Sequence, residues 1–128
     1  MTRYFFDGEW LEWYALMMCL RHAHEQRWSY SAARSLKLTL ADNDVYELDV
    51  FMLRTGDKAL PLLIECKTGE FRQDIDRYLA LKKRLGLSRD QFVMCIAGLA
   101  EDTAKAYSAM YDLSFVNEQT LGTHLARL

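Results

Sequence analysis

The sequence predicts an α/β fold in which helices flank a mixed central β-sheet, and three observations lead to that prediction. The 128-residue chain is 51% hydrophobic and 27% charged, which is enough apolar material for one compact core. Two neighbouring segments have the pattern of a β-hairpin. Helical and strand-like segments then alternate, giving the order helix, three strands, helix, strand, helix, strand. Such an order places helices on a mixed sheet, and we expect a single domain spanning residues 1–128.

The first predicted element is a long helix from Asp7 to about Gln26. Asp7 is suited to cap its N-terminus, where acidic side chains also interact favourably with the helix dipole. Residues Trp13–Leu20 are apolar on every side of that helix, which predicts burial on most of its sides. The next element, Ser35–Leu40, alternates apolar and polar residues as a half-buried strand does.

Two further strands follow, and we expect them to pair as an antiparallel hairpin. A turn over Asp42–Asp44 leads into a strand over Val45–Leu53, a loop over Arg54–Lys58 and a strand over Leu60–Lys67. The short loop contains Gly56, a residue that is typical of hairpin connections.

The C-terminal half of the chain alternates helices with strands. A helix is predicted over Arg72–Leu85, with Gly86 ending it. The uninterrupted apolar run Gln91–Ala97 is typical of a buried central strand. The remaining elements are a helix over Glu101–Met110, a strand over Ser114–Asn117 and a helix over Thr120–Leu128.

Composition narrows the classes of protein. The net charge is -2 and the pI about 5.9, so any surface that binds phosphate groups must be a local one. The three cysteines are widely spaced and form no CxxC pair, which argues against a disulfide framework or a zinc site. The N-terminus lacks a secretion signal, and its longest uncharged apolar run is far shorter than the ~20 residues of a membrane span. We therefore expect a cytoplasmic protein with no membrane contact.

Charged side chains occur inside the segments that read as buried strands. Side chains alternate between the faces of a strand, so the predicted hairpin brings Asp49 close to Glu65 and Lys67. Two anions in close contact resist burial unless a positive charge lies between them. Lys67 could supply that charge in a buried ion-pair cluster without metal, or a divalent cation could supply it. The spacing of the residues leaves both alternatives open.

An all-oxygen set of ligands suits Mg²⁺ or Mn²⁺. The ligands here would be Asp49, Glu65 and the backbone carbonyl of Cys66. An ion held in this way keeps positions open for water and for a phosphate oxygen. Lys67 would then orient the nucleophilic water or stabilise the charge that develops on phosphorus.

The same residues resemble a known signature. Asp49 followed by Glu65-Cys66-Lys67 resembles the D…(D/E)xK motif of the PD-(D/E)xK nuclease superfamily, although Leu48 stands where the family usually has proline. The superfamily's restriction-endonuclease-like core has the order of elements given above. The resemblance implies metal-dependent hydrolysis of phosphodiester bonds, with Asp49, Glu65 and Lys67 as catalytic residues.

Three further stretches resemble one branch of that superfamily, the nuclease domain of CRISPR-associated effectors that carry a cyclic-oligoadenylate-sensing domain. They are Gly8–Glu12 (GEWLE), Glu47–Val50 (ELDV) and Ile64–Gly69 (IECKTG). In that branch the glutamate of the first motif joins the site directly or through water, which implies a catalytic role for Glu12. Glu12 also faces a side of its helix that is mostly apolar and small, so it needs a partner. A water on the metal ion or Lys67 would serve.

Several residues beyond the motif are predicted to contact a nucleic-acid backbone: Thr68, Arg72, Lys82, Lys83 and Arg84. The alternative for the basic run is a solvated helix end. Tyr78 on the same helix is interpreted as a core residue, and the three histidines as carrying no site.

The expected function is that of a Mg²⁺- or Mn²⁺-dependent nuclease that cleaves DNA or RNA. By analogy with the branch, we expect a role in antiviral defence or in nucleic-acid processing. The alternative is a non-catalytic module of the same fold that binds nucleic acid or a protein partner. No sensor domain lies within the 128 residues. We therefore expect a homodimer, and a partner chain that regulates or targets the protein.

Overall fold

A computed structural model describes residues 9–56 and 59–128, so the predicted cap Asp7 and the motif residue Gly8 lie outside the described residues. The described part of the chain is an α/β fold with a mixed five-stranded sheet, as predicted. Its helices are α1 (Trp10–Glu25), α2 (Ile75–Leu85), α3 (Glu101–Met110) and α4 (Leu121–Ala126). Its strands are β1 (Ser29–Thr39), β2 (Val45–Thr55), β3 (Leu60–Lys67), β4 (Phe92–Ile96) and β5 (Ser114–Val116).

The strands lie in the sheet in chain order, β1-β2-β3-β4-β5. Short connections make β1, β2 and β3 antiparallel, and the predicted hairpin is confirmed by the pairing of Val50 with Ile64. The segments that contain α2 and α3 return the chain to the same end of the sheet, so β3, β4 and β5 are parallel. The antiparallel half therefore meets the parallel half at β3.

Strand β1 is longer than the sequence predicted. It begins at Ser29 rather than Ser35, and its first residue pairs with Thr55. The stretch Ser29–Arg34 lacks the alternation of apolar and polar residues that marks a half-buried strand. It is nevertheless extended because the full length of β2 is available as a hydrogen-bonding partner.

Each face of the sheet carries its own apolar core. Helices α1 and α4 cover one face, where Leu11 and Leu121 are completely buried against Val50 and Ile64. Helices α2 and α3 cover the other face, where the buried residues include Ile75, Leu81, Phe92, Met94 and Ala104. The sheet therefore lies between two layers of helices, and β2 and β3 are packed on both faces.

The prediction that α1 is buried on most of its sides overstates its burial, because Tyr14, Leu16 and Met18 are only half-buried and one side of the helix is exposed. Its buried residues form one stripe, Leu11, Ala15, Cys19 and Ala23, while Trp13 is 45% and Met17 66% exposed. The reason is that α1 packs on one face of the sheet, so its far side meets solvent whatever its composition. Within the described residues, no helix combines the length and the apolar character needed to cross a membrane.

Candidate active site

The backbone pairing of β2 with β3 ends at Val50 and Ile64, and the carboxylates Asp49 and Glu65 occupy the next position on each strand. We call this place the fork. Side chains replace the missing backbone ladder there. The Cys66 N–H donates to Asp49 Oδ2 at 2.8 Å, and the Asp49 N–H donates to Glu65 Oε1 at 3.3 Å. The fork therefore holds both predicted carboxylates in contact with each other's strand.

Burial sets the protonation of the pair. Glu65 is only 2% exposed, and burial together with the neighbouring Asp49 raises its pKa to about 9. Burial also raises the pKa of Asp49, against the stabilising Cys66 N–H. The raised pKa favours the protonated form of the Glu65 carboxyl at neutral pH. A proton on Glu65 relieves the repulsion between the two carboxylates, and a cation bound between them would do the same.

Lys67 lies beside this pair but is bound elsewhere. Its Nζ is 3.1 Å from Asp74 Oδ2, on the 3₁₀ turn (Arg72–Asp74) that precedes α2. Among the described residues, Asp74 is the salt-bridge partner of Lys67, and neither Asp49 nor Glu65 forms a salt bridge with it. The arrangement differs from the buried Asp–Lys–Glu ion-pair cluster that spacing alone left open.

Tyr78 closes the fork on the α2 side. Burial raises the pKa of its hydroxyl above the usual value, and the charges of Glu65 and Asp49 raise it further. Its ring lies 5.9 Å from Lys67 Nζ and 5.8 Å from the ring of Phe92. Tyr78 is therefore both a core residue, as predicted, and a neighbour of the site.

Glu12 reaches the same region from the first turn of α1, but its partner is not the one predicted. Arg34 Nη1 donates to Glu12 Oε1 at 3.0 Å, and Arg34 Nη2 to Glu9 Oε1 at 3.2 Å. Burial raises the pKa of Glu12, and the charge of Asp49 raises it further, while Arg34 acts in the opposite direction. Glu12 thus lies within the electrostatic reach of the fork and is held there by Arg34.

Acidic groups outnumber cations in this region. Within residues 9–56 and 59–128, the cations of this region are Arg34 and Lys67, and each is already paired with a carboxylate. The acidic groups are Glu9, Glu12, Asp49, Glu65 and Asp74. An excess of negative charge with partial burial attracts a hard cation.

The donor set fits a divalent cation that is bound by few protein ligands. Within residues 9–56 and 59–128, no group of three or more His, Cys, Asp or Glu side chains is arranged to hold a metal ion. The side chains present are instead two carboxylates, Asp49 and Glu65, which face each other and retain a proton. Mg²⁺ is bound in this way, by one or two carboxylates with water completing its shell.

The residues predicted to contact nucleic acid are distributed along α2 and the segment before it. Lys82 is 8% exposed and pairs with Asp112 at 2.7 Å, while Lys83 is exposed. Arg84 pairs with acidic residues of the 42–44 turn, and Arg72 pairs with Glu70. Thr68 is exposed directly after Lys67. The structure does not gather these residues into one stripe, and their role in binding stays a prediction.

Sequence reasoning missed two residues of the site, Arg34 and Asp74. Arg34 is the one charged residue between Trp28 and Leu36, which in retrospect is the available signal. Asp74 stands in the first turn after the Thr68–Gly69 break, where an acidic residue reads as an ordinary helix-start residue.

Comparison with known proteins gives a match in structure. No protein family profile and no curated protein sequence matches the chain. The structure of Can2 from Sulfobacillus thermosulfidooxidans, solved in complex with cyclic tetra-adenylate, superposes with a TM-score of 0.72 at 17% identity. The two chains share a fold. The match covers 98% of this chain and 37% of Can2, so the chain spans little more than a third of that protein's length.

The shared fold confirms the predicted mixed sheet flanked by helices. Can2 was solved with a cyclic oligoadenylate, and at 17% identity the match shows the shared fold alone. Membership of the PD-(D/E)xK superfamily stays a prediction that rests on Asp49, Glu65 and Lys67.

Proposed function

We propose that this protein is a Mg²⁺- or Mn²⁺-dependent nuclease that hydrolyses phosphodiester bonds of DNA or RNA at the fork. The observation that carries the proposal is the carboxylate pair at the fork, in which Asp49 and Glu65 each accept a hydrogen bond from the backbone of the other's strand while Lys67 beside them is paired with Asp74. A purely structural ion pair would match its charges. The fork instead leaves an excess of negative charge next to a lysine and to the first turn of a helix.

Asp49, Glu65 and the Cys66 carbonyl would hold the ion. A bound divalent cation supplies Lewis-acid chemistry, polarising a phosphate oxygen and activating water at neutral pH. Binding requires that the fork release its proton. The hydrogen bonds from the Cys66 N–H to Asp49 and from the Asp49 N–H to Glu65 hold both carboxyl groups at the fork.

Lys67 provides the positive charge for the reacting phosphate. Its salt bridge holds the ammonium group 3.1 Å from Asp74 Oδ2. The side chain of Lys67 is 27% exposed, so a substrate can approach it. A cation fixed in advance stabilises charge that develops in the transition state without reorganising. Glu12, held by Arg34, would act on the ion through a water molecule.

The likeness to Can2 supports a role in antiviral defence. Can2 was solved in complex with cyclic tetra-adenylate, and this chain carries the GEWLE, ELDV and IECKTG stretches that resemble CRISPR-associated effectors. We place the activity in that setting, with a homodimer or a partner chain controlling it.

A digestion panel tests the proposed function. Supercoiled plasmid, single-stranded DNA and single-stranded RNA are incubated with the protein in Mg²⁺, in Mn²⁺ and in EDTA. We expect cleavage of at least one substrate with metal and none with EDTA. Cleavage that persists in EDTA contradicts the mechanism, and binding of a substrate without cleavage in either metal supports the non-catalytic module instead.

A further inference from the structure

Arg34 is locked across the first turn of α1. Its two terminal nitrogens donate to Glu12 at 3.0 Å and to Glu9 at 3.2 Å. Its guanidinium carbon lies 4.4 Å from the centre of the Trp13 ring, within range of a cation–π contact. The side chain is 22% exposed. Contacts on several sides hold this cation in one place, since a planar guanidinium binds two carboxylates in a fixed geometry.

That place adjoins the fork. On β1, Arg34 pairs with Val50, which directly follows Asp49, and the residue opposite Asp49 is Ser35. Ser35 has a φ of +56°, a left-handed conformation that is uncommon outside glycine, asparagine and aspartate. The regular pairing of β1 with β2 is interrupted at this residue. The edge strand is therefore distorted next to the carboxylate, on the side from which Arg34 reaches α1.

Glu12 is the carboxylate that a second metal ion would need. In two-metal sites the ions lie about 3.5–4 Å apart, and a carboxylate bridges or flanks them. Asp49 and Glu65 face each other at the fork, so a second ion would have to be bound on the Glu12 side of Asp49. Glu12 Oε1 already accepts a hydrogen bond from the Arg34 guanidinium.

We infer that Arg34 acts as a built-in cation that takes the place of a second divalent ion beside Glu12, so that the site holds one ion. The inference rests on the proposed function, in which Asp49 and Glu65 bind a divalent cation. It adds a positioning residue and a metal stoichiometry, neither of which the carboxylate motif specifies.

Substitution at Arg34 should change the number of ions bound. Arg34→Ala leaves Glu9 and Glu12 without their salt-bridge partner, and we expect a second, weaker Mn²⁺ to bind beside Glu12. Arg34→Lys keeps a positive charge at the same place and should bind one ion. Glu9→Gln is the matched control, because it removes one partner of Arg34 and leaves the contact with Glu12 in place.

The count of bound Mn²⁺ is measured by calorimetric titration and by electron paramagnetic resonance, with circular dichroism to check the fold. Where Arg34→Ala is not folded, Arg34→Gln replaces it. We expect one ion for the wild type, Arg34→Lys and Glu9→Gln, and two for Arg34→Ala, the pair showing spin coupling. Two ions on the wild type, or one on Arg34→Ala, would overturn the role of Arg34. A wild type that binds no Mn²⁺ contradicts the proposed function itself.

Discussion

The fork and the 42–44 turn both gather acidic side chains near strand β2, yet their charges are arranged differently. At the turn, Arg84 contacts Asp42 at 2.9 Å and Asp44 at 3.3 Å, and Arg77 lies 3.6 Å from Asp44. These side chains are open to solvent, and Arg84 lowers the pKa of Asp42. At the fork, burial raises the pKa of both Asp49 and Glu65.

We interpret the difference as that between a structural charge cluster and a candidate functional one. Exposed acids that are matched by arginines need nothing more, and such pairs contribute little to stability. Buried acids in excess of cations carry a cost in free energy that must be met by a proton or by a bound ion. Perturbed carboxylates of this kind occur preferentially at functional sites. The following predictions test the contrast, from the largest expected effect to the smallest.

Replacing the lysine at the fork should have the largest effect. Lys67→Ala removes the fixed cation that faces the phosphate, and we expect nuclease activity to fall by roughly a hundredfold or more. The fold should persist because Lys67 is partly exposed and Asp74 can be solvated. The measurement is the initial rate of cleavage with Mn²⁺.

Lys105→Ala is the matched control for that experiment. Lys105 is an exposed lysine paired with Glu101 on α3, away from the fork, and its removal should leave the rate unchanged. Equal rates for Lys67→Ala and the wild type would remove Lys67 from the mechanism.

The pH dependence of stability should show the cost of burying Glu65. The pKa of Glu65 is about 9 in the folded protein and near 4.5 when unfolded, so the unfolded chain loses this proton first as pH rises. Stability of the metal-free protein therefore falls between these two values. Glu65→Gln removes the titration, and we expect it to be more stable than the wild type by a few kcal/mol, about the scale of such a shift, at pH 9.

Urea unfolding in EDTA at pH 5, 7 and 9 measures this effect. The advantage of Glu65→Gln should be small at pH 5 and largest at pH 9. Glu101→Gln changes an exposed glutamate and should follow the wild-type curve. A wild type and a Glu65→Gln variant that keep the same difference at every pH would show that the fork carries no such cost.

The turn cluster should give the smallest effect. Arg84→Ala breaks two exposed salt bridges, and exposed pairs contribute little because solvent and salt screen them. We expect the melting temperature to change by at most a few degrees, about the scale of one weak interaction. Thermal unfolding at low and high salt provides the measurement. A large loss of stability would mean that balanced exposed charges also determine the fold.

The central part of the site could be predicted from the sequence because its signals are local. The alternating pattern of β2 and β3 gives the hairpin, and it also gives the face on which Asp49 and Glu65 lie. Acidic residues within apolar strands are conspicuous against that pattern. The buried central strand β4 was also predictable from a local signal, because it is an uninterrupted apolar run between two helices.

The remaining features depend on tertiary contacts that no local pattern encodes. Arg34 belongs to the part of β1 that lacks alternation, and its pairing with Glu12 depends on how α1 crosses the sheet. Lys67 could have paired with either carboxylate, but the 3₁₀ turn places Asp74 closer. The exposure of Trp13 and Met17 follows from the single face that α1 presents to the sheet.

Thermal unfolding with and without Mn²⁺ tests most directly the claim that the fork is a cation site. A ligand that binds only the folded state stabilises it by an amount that grows with concentration, about 2.7 kcal/mol at a hundred times the dissociation constant. We predict that Mn²⁺ raises the melting temperature of the wild type and leaves that of Asp49→Asn unchanged. A wild-type melting temperature that does not respond to Mn²⁺, or an equal rise in Asp49→Asn, would contradict the account.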